Sequence, residues 1–388
     1  MEVTRTIHPV GQGAFYSEHF KLKDGKVYNV VYDCGTKDDW HETLETKVEI
    51  YIGNVNDEDG IDALFISHFD EDHVNGIIDL ANECHIKKVI LPVFRKEKWL
   101  SIVEYGIIYY YNYQRIRYLL REKGIKLVFV NPNGENDREL DNFYSLDRLP
   151  NRINSGTKIC IWLDGMQWLY IPIYFDALLR IKDKLKTEIE RIPLLDRHLK
   201  VENLKDPQML DQHILHKVND AYTRVVGDNN RPSMPCYSGP ADDNYNVSMF
   251  INQFVPHFKL SASDKHKSYY QIEKKQGVFK AACLYTGDTT LKMNQCREIR
   301  KYMDDRFINQ IDTLQVPHHG SKYNITVSSV EKYLEMNFYD LLCFTSFGYG
   351  NTYKHPSTSC VKSITDAFGI FIGVNECPNS ALKELFEF

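Results

Sequence analysis

Three features of the sequence predict an α/β layered fold. Short apolar runs ending at glycine or polar loops alternate with segments of helical spacing from the N-terminus to about Val130, and the strand texture resumes near the C-terminus after a helical interruption. A length of 388 residues with 43% hydrophobic content provides for a sizeable buried core. Charged residues make up 26% with a net charge of −6, which excludes a polybasic nucleic-acid binder, so any contact with phosphate must be local.

The elements follow in order. Residues 26–35 (KVYNVVYDCG) alternate and then run apolar into a glycine, as an internal strand ending at a polar loop does. Residues 61–67 (IDALFIS) form a buried strand, and Val74, Ile77, Ile78 and Ala81 have helical spacing. Residues 87–92 (KKVILP) are a strand stopped by Pro92. Residues 111–123 are helical with Gly124 at the C-cap, and IKLVFV follows as a strand. After KICIWLDG (158–165) come FDALLRIKDKLKTEIERI and PQMLDQHILHKVNDAYTRVV, two amphipathic helical patterns, and then a Gly/Pro/Asn/Asp-rich stretch. This predicts one discontinuous domain: 1–165 as its first half, 166–243 as a mainly helical insertion, and 244–388 as its second half. VSMFINQF, GVFKAACLYTGD and DLLCFTSFG resume the strands. No repeat of solenoid period is present.

The aromatic stretch 102–113 carries Glu104 and falls short of the roughly 18–20 apolar residues of a membrane span. The start, MEVTRTIHPVGQG, lacks an apolar block and a small-residue cleavage site. A soluble, cytoplasmic protein with no membrane partner is expected. The nine cysteines are scattered singly with no C-x-x-C pair, which points to small buried apolar residues rather than disulfides or a thiolate zinc site.

The residues that carry chemistry begin with His68-Phe69-Asp70-Glu71-Asp72-His73, between a buried strand and a helix. Two imidazoles and two carboxylates on one tight loop can converge on divalent metal, and the histidines favour zinc, manganese or iron over an all-oxygen calcium site. Asp288 in LYTGDTT, His318 and His319 in VPHHGSKYN, and His355 in SFGYGNTYKHPS each follow an apolar run. All are expected along one edge of a sheet. His213 and His216, at i, i+3 in the insertion, are expected on a solvated helix face.

Seven segments, in order, resemble the metallo-β-lactamase fold, and within it the hydrolase domain of ComEC-type DNA-uptake competence proteins. They are V-G-Q-G (Val10 to Gly13), Y-D-C-G (Tyr32 to Gly35), S-H-x-D-x-D-H (Ser67 to His73), N-x-S (Asn246 to Ser248), T-G-D (Thr286 to Asp288), V-P-H-H-G-S (Val316 to Ser321) and S-x-G-x-G-N-x-Y-x-H-P (Ser346 to Pro356). The resemblance implies a four-layer αββα sandwich with two divalent metal ions at one edge, to which the helical insertion read from the chain's own pattern is added. By carry-over His68 and Asp70 bind the first ion, Asp72 and His73 the second, and Asp288 bridges them. His355 resembles the final ligand of the second ion. His318 or His319 resembles the histidine near the substrate phosphate, as proton donor or as a completing ligand. Ser321 and Lys322, beside the pair, are candidate phosphate contacts. Many relatives carry H-x-H-x-D-H; here the middle position is Asp70, and this oxygen ligand shifts preference from zinc towards manganese or magnesium.

The expectation is a stand-alone metal-dependent hydrolase, a phosphodiesterase or nuclease in which two ions activate a hydroxide and Asp72, His318 and His319 form the catalytic set. Its substrate would be nucleic acid or a nucleotide, and the insertion could meet a protein partner. Two other readings stay open: a small-molecule hydrolase of the same fold (cyclic nucleotide, phosphonate, thioester or lactam), favoured by the acidic net charge, and a partner-activated or non-catalytic interaction module.

Overall fold

The computed structural model describes residues 1–55, 60–93, 107–132, 143–174, 182–194, 197–200, 212–226, 233–242, 248–252, 254–256, 269–271 and 280–388. Two mixed sheets carry the fold. Among the described residues the first has nine strands, from edge to edge Ser248–Asn252, Leu382–Glu387, Glu2–Ile7, Gly13–Lys21, Val27–Thr36, Ala63–Phe65, Lys88–Pro92, Lys126–Asn131 and Arg152–Asn154. The second has eight: Ile370–Val374, Leu342–Ser346, Ile311–Gln315, Ala282–Tyr285, Cys236–Pro240, Met166–Pro172, Lys158–Leu163 and Phe143–Ser145.

Period-2 alternation sorts each strand's side chains between two layers of core. Val30, Tyr32, Ala63, Phe65 and Ile90 face inward and meet Tyr170, Cys283, Tyr285, Leu342 and Phe344 of the second sheet. Their neighbours Val31, Leu64 and Val89 face outward, under Leu44, Val48, Ile77, Leu80, Ile116 and Leu120 from the helices His41–Asn54, Ile77–Glu83 and Ile107–Glu122. On the other side Ala282, Leu284 and Cys343 lie under Cys296, Ile299, Phe307 and Ile364. The layers therefore run helix, sheet, sheet, helix, the αββα arrangement that the metallo-β-lactamase resemblance implies. Among the described residues no helix is long and apolar enough to cross a membrane. Seven of the nine cysteines are buried.

The expected insertion, 166–243, has different limits in the structure. Met166–Pro172 and Cys236–Pro240 are adjacent central strands of the second sheet, paired antiparallel from Trp168↔Pro240 to Pro172↔Cys236. Tyr174 and Ser233 are the described residues of the sandwich on either side of the helical part. In between, the helices Lys182–Glu190 and Gln212–Val226 pack on each other through Leu185, Ile189, Ile214, Val218 and Tyr222, a separate apolar cluster. The first part of each predicted helical pattern (175–181 and 207–211) and Asn246 of the N-x-S segment lie outside the described residues.

Strand direction places the site. Val27–Thr36, Ala63–Phe65, Lys88–Pro92 and Lys126–Asn131 are parallel in the first sheet, and Ala282–Tyr285, Ile311–Gln315, Leu342–Ser346 and Ile370–Val374 in the second. The loops after Phe65, Tyr285, Gln315 and Ser346 carry every residue of the predicted constellation, and they leave the C-terminal ends of these strands, where ligands of open α/β sheets gather.

Candidate metal centre

Asp33, at the end of Val27–Thr36 with φ 55°, is fully buried and organises the loop opposite it. Its carboxylate accepts from the Ser67 backbone N–H (2.7 Å), the Ser67 hydroxyl (2.6 Å) and His73 Nδ1 (2.8 Å). Because the Ser67 hydroxyl spends its proton on Asp33, its lone pair accepts from His68 Nδ1 (2.8 Å). His319 Nδ1 donates to the Ser346 carbonyl (2.9 Å). These Nδ1 contacts orient three histidine rings, each with its Nε2 turned into the site. Outer partners of this kind fix the orientation of metal-bound histidines.

Those three nitrogens face carboxylates. His68 Nε2 lies 3.5 Å from Asp70 Oδ2 and 3.6 Å from Asp288 Oδ2, His73 Nε2 lies 3.3 Å from Asp288 Oδ1, and His319 Nε2 lies 3.1 Å from Asp72 Oδ2. His73 Nε2 and Asp288 Oδ1 are buried and make no hydrogen bond. Two ligands of a tetrahedral ion bound at about 2.1 Å stand about 3.4 Å apart, so these separations suit a shared cation. Among the described residues two groupings have the reach to hold one: His68, His73 and Asp288, and Asp72, His73 and His319. Asp288 turns Oδ1 to His73 and Oδ2 to His68 and to His318 Nδ1 (3.7 Å), so its two oxygens address different neighbours.

The electrostatics agree. Burial opposes ionisation of Asp72, yet His319, His73 and Lys37 hold its carboxyl well below the usual range. Burial likewise opposes Asp288, which His318, His73 and His68 hold low. Burial disfavours charge on His73, but Asp288 and Asp33 push its pKa well up. A pocket that draws protons onto its histidines draws metal cations as well, since both compete for the same lone pairs.

Local sequence explains the shape. A Cβ on Gly35 would stand 2.6 Å from the His73 backbone N and 2.5 Å from that of Val74, so the last residue of Y-D-C-G lets the short helix Glu71–Val74 sit on the strand end. Gly287 has φ +53°, and a Cβ there would meet Ser67 Cβ at 2.8 Å. Gln315 Oε1 accepts from the Thr286 and Gly287 N–H groups (2.9 and 3.1 Å), which pins T-G-D to the next strand.

His68, Asp70, Asp72, His73, Asp288, His318 and His319 are brought together as the sequence predicts. His355 is not. It lies outside both groupings, its ring 5.6 Å from that of His318 and 6.5 Å from that of His319, and His319 rather than His355 stands against Asp72. Asn351 bonds both the N–H and the C=O of His355 (3.0 and 2.6 Å) and so fixes the backbone of that loop. Burial, with His319 and His318 near, lowers the His355 pKa to about 4. Ser321 is buried and accepts from the Tyr323 N–H (3.4 Å), whereas Lys322 is exposed with Nζ 4.7 Å from the Tyr323 ring centroid. His213 and His216 are exposed, and His216 pairs with Asp220 at 3.9 Å, as a solvated helix face requires.

Sequence reasoning gave no role to Asp33, Ser67, Ser233 or Lys37. Ser233 Oγ accepts from the Asp288 N–H (3.2 Å), and Lys37 Nζ lies 2.9 Å from Asp72 Oδ1. The signals present were the Asp of Y-D-C-G and the Ser before His68.

No family model matches the chain, and no curated protein matches it. A solved structure of a long form RNase Z from yeast aligns over 89% of this chain and 37% of its own, at 10% identity and a TM-score of 0.30. The chain thus spans little more than a third of that protein's length.

Proposed function

We propose that this chain is a metal-dependent hydrolase of phosphodiesters, foremost those of nucleic acid, working through two divalent ions. The observation that carries this reading is Asp288, with Oδ2 turned to His68 and Oδ1 to His73, the histidine that belongs to both His/Asp groupings. His68, Asp70 and Asp288 would hold one ion, with His318 beside them, and Asp72, His73, His319 and Asp288 the other. Asp70 makes the first position oxygen-rich, which favours manganese or magnesium there over zinc. Two ions so held supply Lewis acidity to a phosphoryl oxygen and make water nucleophilic at neutral pH, so no protein nucleophile is needed.

The chain's own groups do the remaining work. His318, with 40% of its side chain exposed beside Asp288, is the proton donor to the leaving oxygen in this reading. Lys37 neutralises Asp72 and offers a cation to the phosphate. A small phosphodiester such as a cyclic nucleotide would meet the same groups, and the net charge of −6 fits that second reading.

Turnover of bis(p-nitrophenyl) phosphate, with zinc, manganese and magnesium in parallel, tests the proposal. Manganese-supported cleavage that Asp72→Ala abolishes is the expected result. No cleavage with any metal, in a protein that binds two ions per chain, would move the assignment to a substrate without a phosphoester.

A further inference from the structure

An aromatic column rises from the site. His355 stacks on His319 with centroids 6.5 Å apart and planes 23° apart, and Tyr353 stacks on His355 at 5.9 Å and 28°. The column starts at the histidine that faces Asp72 and ends at Tyr353, which is 57% exposed. His355 lies against that tyrosine, and more than half of the tyrosine is open to solvent at the end of the stack. On the neighbouring loop Tyr323 is 63% exposed and carries Lys322 Nζ over its ring, an aromatic surface with a cation attached.

We propose that Tyr353 stacks an unpaired nucleobase of the strand whose phosphate lies at the metal centre, with Tyr323 and Lys322 taking a neighbouring nucleotide. This rests on the phosphodiesterase reading and narrows it to single-stranded or frayed nucleic acid. A flat ring at the end of a near-parallel column matches the π-face that every base offers, whatever the sequence. Bases within a duplex keep their faces inside their own stack and cannot reach such a ring without unpairing. In a chain of net charge −6 the grip on a strand has to be local, and stacking supplies affinity that a basic field does not.

The test is fluorescence anisotropy of the full chain in EDTA, so that nothing is cut, with a labelled single strand of about twelve nucleotides and an abasic strand of the same length. The expected result is at least about tenfold tighter binding of the base-bearing strand, a gap that Tyr353→Ala removes and Tyr353→Phe keeps. Equal affinity for the two strands, or a Tyr353→Ala protein that binds both as wild type does, overturns the platform. Hydrolysis of bis(p-nitrophenyl) phosphate separates the two ideas. Cleavage without base preference leaves the hydrolase standing and removes the platform, whereas base preference without cleavage under any metal does the reverse.

Discussion

Asp33 shows how one carboxylate can hold a site without entering it. Its contacts to His73 directly, and to His68 through the Ser67 hydroxyl, turn two imidazoles so that both Nε2 atoms face Asp288 and that of His68 also faces Asp70. Removing the charge while keeping the shape isolates that role. Asp33→Asn should weaken metal binding by about 10–100-fold, as outer partners of metal-bound histidines typically do. Competition against a chromophoric chelator measures this directly, and unchanged affinity would show that the His73 ring is oriented by something else. Asp33 was visible in the sequence only as part of Y-D-C-G. Its purpose was not legible because Ser67 lies 34 residues away and His73 lies 40 away.

The elements that position the ligands depend on close approach as much as on capping. The helix Glu71–Val74 is a single turn and owes its place to the bare backbone at Gly35, with a virtual Cβ 2.5 Å from the Val74 nitrogen. Gly35→Ala should therefore displace Asp72 and His73 together and lower the number of ions bound per chain, while the far side of the sandwich keeps its near-ultraviolet circular dichroism. Full metal stoichiometry in that variant would show that the helix can shift without loss. The strand texture around each motif made this edge of the sheet predictable. The limits of the insertion were not, because the alternation of Met166–Pro172 abuts a helical pattern and only its pairing with Cys236–Pro240 assigns it to the sheet.

At the scale of the whole molecule, a buried polar network ties the two sheets. Arg5 donates to Glu18 (2.8 Å), Glu384 (2.7 Å) and the Ala281 carbonyl (2.9 Å). Tyr170 and Ser238 of the second sheet both donate to Glu18 at 2.6 Å, and Thr313 donates to Glu384 at 2.5 Å. Arg5, Glu18 and Glu384 are all at most 2% exposed, so each depends on the others for its charge. Arg5→Met leaves two carboxylates buried without their cation and should cost about 3–5 kcal/mol in urea unfolding. The triple change with Glu18→Gln and Glu384→Gln should recover most of that loss. A single variant as stable as wild type would show that water reaches these carboxylates.

The sequence by itself determined the layered class, the loop from Ser67 to His73, and the placing of Asp288 and the His318–His319 pair at strand ends. Those features are local: period-2 alternation sorts side chains between faces, and a strand end followed by a glycine or a helix presents what comes next. Tertiary structure alone decided that His319 stands against Asp72, since the two are 247 residues apart in the chain. It also decided the place of Lys37 beside Asp72 and the orientation of three histidine rings. Such pairings depend on which strands become neighbours, and no local pattern encodes that.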